Sequence, residues 1–333
     1  MDIVAQIADM FATGVVRLAS HFMSPGNSFS PVPVLVTILL ALIFTSRELR
    51  KAGGDHSLRS IVSRAFPARI FSHASAKRDY AIFILNEGVF FWFAHFASLA
   101  VILVVTSALP TQTGEPVFRN QTIEIGLLSV FIILVTDFLS TFSHYLRHKI
   151  PFLWEFHKVH HSAEVLTPVT VYRRHPVELI VNGVVITAGT AIAILVWSAT
   201  FKSALEPITI FGVNAGVFVW RMLFYNLRHS HIWIDYGPFW SHIFTSPAQH
   251  QLHHSVDPKH HDCNFGVIFA FWDILFGTLY VPKEKEGITL GLHPSEMEEF
   301  QSIKGIYLSP FKKAFAMLRS RERAAPHDGM ARP

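Results

Sequence analysis

Charge is scarce in this sequence, and cysteine is almost absent. Only 16% of the 333 residues are Asp, Glu, Lys or Arg, against about a quarter in an ordinary soluble chain. One cysteine, Cys263, excludes an internal disulfide framework and a thiolate metal site. There is no internal repeat and no low-complexity tract, which sets aside solenoids and linker-like chains. No H-E-x-x-H stretch supplies the positioned glutamate base of a zinc hydrolase. The first 22 residues carry Ile3, Ile7, Met10, Phe11 and Val15 near helical spacing, and read as an interfacial helix rather than a cleavable leader.

What replaces charge is apolar surface: half of the residues are hydrophobic and the mean hydropathy is +0.35. A helix needs about 20 residues to cross the roughly 30 Å hydrocarbon core of a bilayer. Five stretches approach or exceed that length, at 31–46, 80–109, 123–145, 179–201 and 207–225. A sixth, 265–281, contains Asp273 and two glycines and is expected to lie on the membrane or the protein as a helix without spanning.

The net charge of +4 does not point to nucleic acid, because of where the basic residues sit. Segments 46–79, 144–177 and 221–333 hold 8, 5 and 12 Lys and Arg, and elsewhere there are only Arg17, Arg119 and Lys202. With five spans, every basic-rich segment falls on one side, which the positive-inside rule makes cytoplasmic. The expectation is an all-α integral membrane protein of four to five spans with a cytoplasmic helical cap. Three regions follow: 1–79 with the interfacial helix, first span and basic loop; 80–282 as the catalytic membrane domain; 283–333 as a basic amphipathic tail. In that tail, Phe311, Phe315 and Leu318 beside Lys312, Lys313, Arg319 and Arg321 suggest a surface anchor.

Histidine is the over-represented polar residue, with 14 of the 20 lying between His144 and His261. Positions i, i+3 and i+4 share one face of a helix. His144 and His148 therefore project together, as do His157, His160 and His161, and again His250, His253 and His254. Eight imidazoles on three faces can supply about four nitrogens to each of two metals, with His229 a ninth. His175 and His231 are possible further ligands, or partners that fix ring orientation. Imidazole binds zinc, copper, nickel and iron, so ligand type does not choose the metal. A closed zinc site needs four ligands and zinc has no redox chemistry. Ligands that begin where a span leaves the bilayer suit a substrate with unactivated C–H bonds, which favours iron with dioxygen.

At these residues the sequence resembles the fatty acid hydroxylase / sterol desaturase superfamily, whose signature is H-x3/4-H, H-x2-H-H and a final H-x2-H-H. Asp137, the run from His161 to Glu164, Arg173-x-His175-Pro176, Asp262-x-Asn264, and Trp272-Asp273 followed by Phe-Gly-Thr278 are similar to family features. The resemblance covers roughly 80–282 and extends to bacterial members and to alkylglycerol monooxygenase. It implies a di-iron mixed-function oxidase using two iron ions and O2, with the family's ligand histidines carried onto His144, His148, His157, His160, His161, His250, His253 and His254. His229 stands where members often keep another ligand, and His231 where many have asparagine. Nothing resembles a fused cytochrome b5 domain, so electrons are expected from a separate cytochrome b5, ferredoxin or reductase.

The expected activity is lipid hydroxylation, with desaturation by the same centre as the alternative, and a zinc hydrolase or metal transporter further behind. The substrate is expected to be a sterol, fatty acyl, ether or related lipid. The membrane would be a bacterial inner membrane, or the endoplasmic reticulum in a eukaryote. An acid inside a span is costly and usually functional; Asp137, two turns before His144, is expected to hydrogen-bond a ligand histidine. Asp262 and Asn264 are expected to brace the last triad, and Arg173 and Arg174 either hold a lipid head group or are ordinary loop cations. Glu87 and His95 either line the substrate cavity or form a buried pair. His21, His56, His73, His242, His260, His261, His293 and His327 fall outside the spacing and are expected to be bystanders.

Overall fold

Proline at the first turn opens the helices that matter here, because its fixed φ suits that position and its missing N–H is not needed there. A computed structural model describes residues 3–24, 27–107, 117–203, 206–210 and 213–324. His327 and the side chains of Ile3, Ile7, Met10, Phe11 and Arg321 lie outside the described residues. The main elements are α1 (Ile3–Met23), α2 (Pro31–Lys51), α3 (Ala74–Val105), α4 (Gln121–Lys149), α5 (Pro151–His161) and α6 (Pro176–Phe201). They are followed by β1 (Thr209–Ile210), β2 (Val213–Asn214), α7 (Ala215–Trp220), α8 (Pro247–His253) and α9 (Ile303–Ala324).

Four helices, α2, α3, α4 and α6, are long and apolar enough to cross a membrane. Their outer faces carry exposed large side chains such as Phe93, Leu103, Val130 and Val196, as expected of surfaces that meet lipid rather than water. The Asn120 side chain caps α4 by accepting from the N–H groups of Thr122 and Ile123. At 29 residues α4 is about 44 Å long, enough to carry the chain through a bilayer and out. Pro151 then forces a new helix, since the residue before proline is driven out of helical geometry.

Segment 207–225 is not a fifth long helix. β1 and β2 pair as an antiparallel hairpin, Asn214 caps α7, and helical backbone continues through a π turn, Arg221–Tyr225, to Arg228. The hairpin is pinned to α4: Ile208 N–H donates to Ser129 Oγ (2.7 Å) and the Asn214 amide to Ser129 O (3.0 Å). Apolarity alone suggested a span; the cap at Asn214 decides that helix starts only at Ala215, so the return leg is short. The 265–281 segment also differs, with helix only at Phe271–Phe276. Its Asp273 carboxylate folds back to accept the N–H groups of Phe265 and Gly266 (both 2.8 Å), which fixes a buried loop.

α1 and α9 both pack onto the body. Gly14 meets Gly88 in a π turn of α3, so closely that a β-carbon on residue 14 would lie 2.1 Å from the Gly88 carbonyl oxygen. This approach lets Arg17 Nη2 (3.1 Å) and His21 Nε2 (2.9 Å) reach Glu87, which is thereby paired with α1 and not with His95. His95 is exposed among Trp92 and Phe96 and does not line the cavity beside the histidine groups. The C-terminal helix is more than an anchor: Ile306 and Ala314 are fully buried, and Phe311 packs edge-on to Phe156 at 5.2 Å. Its Phe315 and Leu318 remain exposed.

Since backbone opposes the missing β-carbon, Gly14→Ala should destabilise the protein by about 1–3 kcal/mol. Thermal unfolding in detergent checks this, and an unchanged midpoint would show that α1 does not depend on that contact.

Candidate metal centre

Two proline-initiated helices, the end of a span and a short return leg bring the histidines together. α4 delivers His144 and His148 from its last turns. α5 follows after one residue and is buried from Glu155 onward, carrying His157, His160 and His161. α8 is set by a capping box between Ser246 and Gln249 and carries His250 and His253, with His254 at its C-cap. His229 follows directly on the short helical return leg.

The nine rings sort into two groups: His144, His148, His157, His161 and His253, and His160, His229, His250 and His254. Within each group one nitrogen per ring lies within 4.8 Å of the others. The triads are shared between the groups. From α5, the i and i+4 rings join the first group and His160 the second; from α8, the i and i+4 rings join the second and His253 the first. The groups abut, with His161 and His254 stacked at 4.6 Å.

Backbone carbonyls select the tautomer of several rings. A carbonyl can only accept, so Nδ1 of His144, His253 and His160 must donate, to Phe265 O (3.0 Å), Cys263 O (2.7 Å) and Arg173 O (3.3 Å). Each Nε2 then keeps its lone pair for a metal. Those lone pairs meet one another: Nε2 of His144 lies 3.1 Å from that of His157, and Nε2 of His160 lies 3.1 Å from that of His229. Further buried ring nitrogens, including Nε2 of His148, His161 and His253, have no hydrogen-bond partner. Converging, unpartnered lone pairs in a dry interior are costly by themselves, and this donor set fits two metal cations. Burial, followed by the charge of neighbouring rings and arginines, lowers the pKa of His157, His160, His161, His229, His250, His253 and His254. Neutral imidazole, the form a metal needs, is therefore favoured. Burial pushes the Cys263 thiol up to about 12, so it offers no thiolate.

Other expected residues are placed differently. Asp137 touches no histidine; its carboxylate accepts from the N–H groups of Ile268 (2.8 Å) and Phe269 (3.0 Å) and from Trp272 Nε1 (3.0 Å). It holds the loop folded by Asp273 against α4. His175 caps α6 through Nδ1 and donates from Nε2 to Tyr307 O (3.1 Å), and His231 faces Arg64 O (3.1 Å); neither joins a group. Asp262 sits beside His148 (3.6 Å) and Lys149 (2.6 Å), so it braces the first pair instead of the last triad. Asn264 does support that triad, donating to Gln249 O (3.2 Å) while pairing with the backbone of Tyr280. Both adopt left-handed backbone, with φ of 59° and 55°. Arg173 is wholly buried against Asp79 (2.8 Å) and Ser162, and is structural. His260, also buried, pairs with Glu286 (3.1 Å).

Two partners escaped the spacing argument. Glu178, in the first turn of α6, pairs with Arg147 and lies 3.2 Å from His157 Nδ1. Arg228 sends Nη2 to His250 Nδ1 (3.0 Å) and Nη1 to Val267 O (2.5 Å). Their signals were present, as an acid near a span end and an arginine beside a histidine, but partners 21 to 39 residues away cannot be paired by helical spacing.

The groups open on a cavity of about 460 Å³ between α4, α6 and α7, reached by His144, His157, His160, His229 and His250. Its far wall is apolar, with Ile186, Val213, Val217 and Trp220. Trp220 and Ile268 separate it from a second, largely apolar slot of about 450 Å³ lined by Val219, Phe224, Trp240 and Phe244.

A helical body with four helices long and apolar enough to span, and a buried cluster of nine imidazoles in two groups that could each hold a metal ion, defines a histidine-rich membrane protein. The family model for fatty acid hydroxylase matches residues 129–278, the stretch that contains all nine. Alkylglycerol monooxygenase of Caenorhabditis elegans is 26% identical over 167 residues, 50% of this chain and 30% of that protein. Ornithine lipid hydroxylase OlsE of Rhizobium tropici is 25% identical over 195 residues, 57% and 53% of the two chains. Alkylglycerol monooxygenase of Xenopus tropicalis is 28% identical over 171 residues, 50% and 34%. The matched region thus spans about a third to a half of these relatives. No solved structure matches the chain.

Glu178→Ala should weaken metal binding about ten- to a hundredfold by freeing His157, whereas Asp137→Asn should change it by less than about threefold and act on stability instead. Metal competition titrations of both variants decide between these roles; equal losses would refute the assignment. A second expectation concerns acid. The seven rings have folded pKa values below the unfolded value near 6.5, so only the unfolded chain takes up protons as pH falls below that value. Metal-free protein should be most stable above about pH 6.5 and lose stability progressively below it, which unfolding midpoints at pH 7.5 and 5.5 measure.

Proposed function

We propose that the protein is a membrane-bound, iron- and dioxygen-dependent hydroxylase of a lipid C–H bond. One observation carries this reading: two adjoining groups of five and four buried imidazoles open on a part-apolar cavity within a membrane-embedded helical body. Nine donors exceed the four of a closed zinc site. They cluster at span ends, whereas a transport path would need them in mid-span. The names of the relatives, a monooxygenase and a lipid hydroxylase, favour hydroxylation over desaturation.

Two iron ions with dioxygen and external electrons would supply the oxidising power that an unactivated C–H bond requires. The nine histidines hold the ions, and the carbonyls of Phe265, Cys263 and Arg173 keep the ring protons on Nδ1. Glu178 and Arg147 orient His157 from the cavity wall. Ile186, Val217 and Trp220 exclude water beside the reacting carbon, and the adjoining slot accommodates an alkyl chain. Electrons come from a separate cytochrome b5, ferredoxin or reductase, docking on the basic side, which we assign to the cytoplasm by the positive-inside rule.

Purified protein should contain about two iron ions per chain, and consume oxygen when given a reductant and membrane lipid, with product heavier by one oxygen. His161→Ala and His254→Ala should each abolish uptake. Active protein holding two zinc ions and consuming no oxygen would sink the proposal, and a product lighter by two hydrogens would replace hydroxylation by desaturation.

A further inference from the structure

Four arginines line the cavity, and they are not equivalent. Arg147 is paired with Glu178, and Arg228 is held by Val267 O and His250. Arg174 and Arg221 make no side-chain hydrogen bond or ion pair with any described residue, and the Nε of Arg174 is buried without a partner. The cavity acids face other groups: Glu178 pairs with Arg147 through Oε1 and lies 3.2 Å from His157 Nδ1 through Oε2, and Asp137 accepts from the 268–269 backbone and Trp272. Burial works against the charge on Arg174, and the carboxylates of Glu178 and Glu87 at longer range help to hold it. Asn182 and Tyr225 also line the cavity, and their side chains likewise make no hydrogen bond.

An unpaired guanidinium inside a membrane protein is expensive and usually marks the place of a missing partner. Two such cations, an amide and a phenol around one space make a set of donors that an oxyanion satisfies, and guanidinium matches carboxylate and phosphate geometry. We propose that Arg174 and Arg221 form an anion-binding pair inside the cavity, so that the substrate is an amphiphile with a carboxylate or phosphate. Its alkyl chain lies along the Ile186, Val217 and Trp220 wall. This inference rests on the lipid reading above and narrows it, excluding uncharged sterols and glyceryl ethers as preferred ligands.

The test is equilibrium binding, without turnover, to full-length metal-loaded protein in detergent. The probes are radiolabelled palmitate, oleoyl lysophosphatidate and the uncharged hexadecylglycerol. At least one anion should bind about tenfold or more tightly than the neutral ether, and the stronger of the two identifies carboxylate or phosphate. Arg174→Gln and Arg221→Gln should each weaken that anion about tenfold, the effect of one charge-assisted hydrogen bond, without changing hexadecylglycerol binding or metal content. Arg221→Lys should recover most of the loss. Equal binding of all three probes to the wild type overturns the proposal, and that comparison stands even if the glutamine variants misfold. So do glutamine variants that keep their metal and bind the anion within twofold of wild type. Anion selectivity without oxygen uptake would instead reject the hydroxylase reading and leave the anion pair intact.

Discussion

Everything in this fold answers to one constraint: nine buried imidazoles, held neutral, must face one another. Neutral rings pack where protonated ones would repel, yet the inward lone pairs of His144, His160 and His253 converge, an arrangement that cations would satisfy. The outward nitrogens must then be anchored, or the rings would turn to find hydrogen bonds elsewhere. The carbonyls of Cys263, Phe265 and Arg173 provide anchors for one ring from each of three pieces of chain. Those carbonyls lie in loops that are themselves held by buried acids, Asp273 and Asp137 on one side and Asp79 with Arg173 on the other.

This layered support explains why so many charged groups are buried in a chain so poor in charge. The buried aspartates that support the centre, Asp79, Asp137 and Asp273, spend their oxygens on backbone N–H groups, an arginine, hydroxyls or an indole. Asp79 accepts from Arg173 and Thr170, and Asp137 from two N–H groups and an indole. Satisfied in this way, they rigidify loops at the span ends, where a metal centre needs geometry held to fractions of an ångström. Among the four cavity arginines, Arg174 and Arg221 lack the side-chain partners that hold Arg147 and Arg228, which is why they point to a ligand.

The membrane contributes as much as the metals. α3, α4 and α6 present apolar faces outward and leave their polar content for the interior end of the bundle. The hairpin and short α7 bring the chain back from the far side to deliver His229, and their π turn places Arg221 and Tyr225 at the cavity. A full-length helix there would have been simpler to read, but the Asn214 cap and the Ser129 contacts shorten it.

Much was legible in the residues alone. Hydropathy located the four long helices, and i, i+3, i+4 spacing singled out the eight motif histidines, because both depend on local geometry that one short segment contains. Tertiary structure alone decided how the rings divide. Spacing put each H-x-x-H-H on one face, but two groups meet at that face, and only the packing of α5 against α8 sends the middle ring to the other group. It also reassigned the isolated polar residues, Asp137 to a loop, Asp262 to His148, His175 and His231 to carbonyls, and Glu178 to Arg147 and His157. Partners for such residues lie up to 167 positions apart along the chain, and no periodicity reaches that far. What a side chain is can be read from the sequence; what it faces is settled only when distant segments pack.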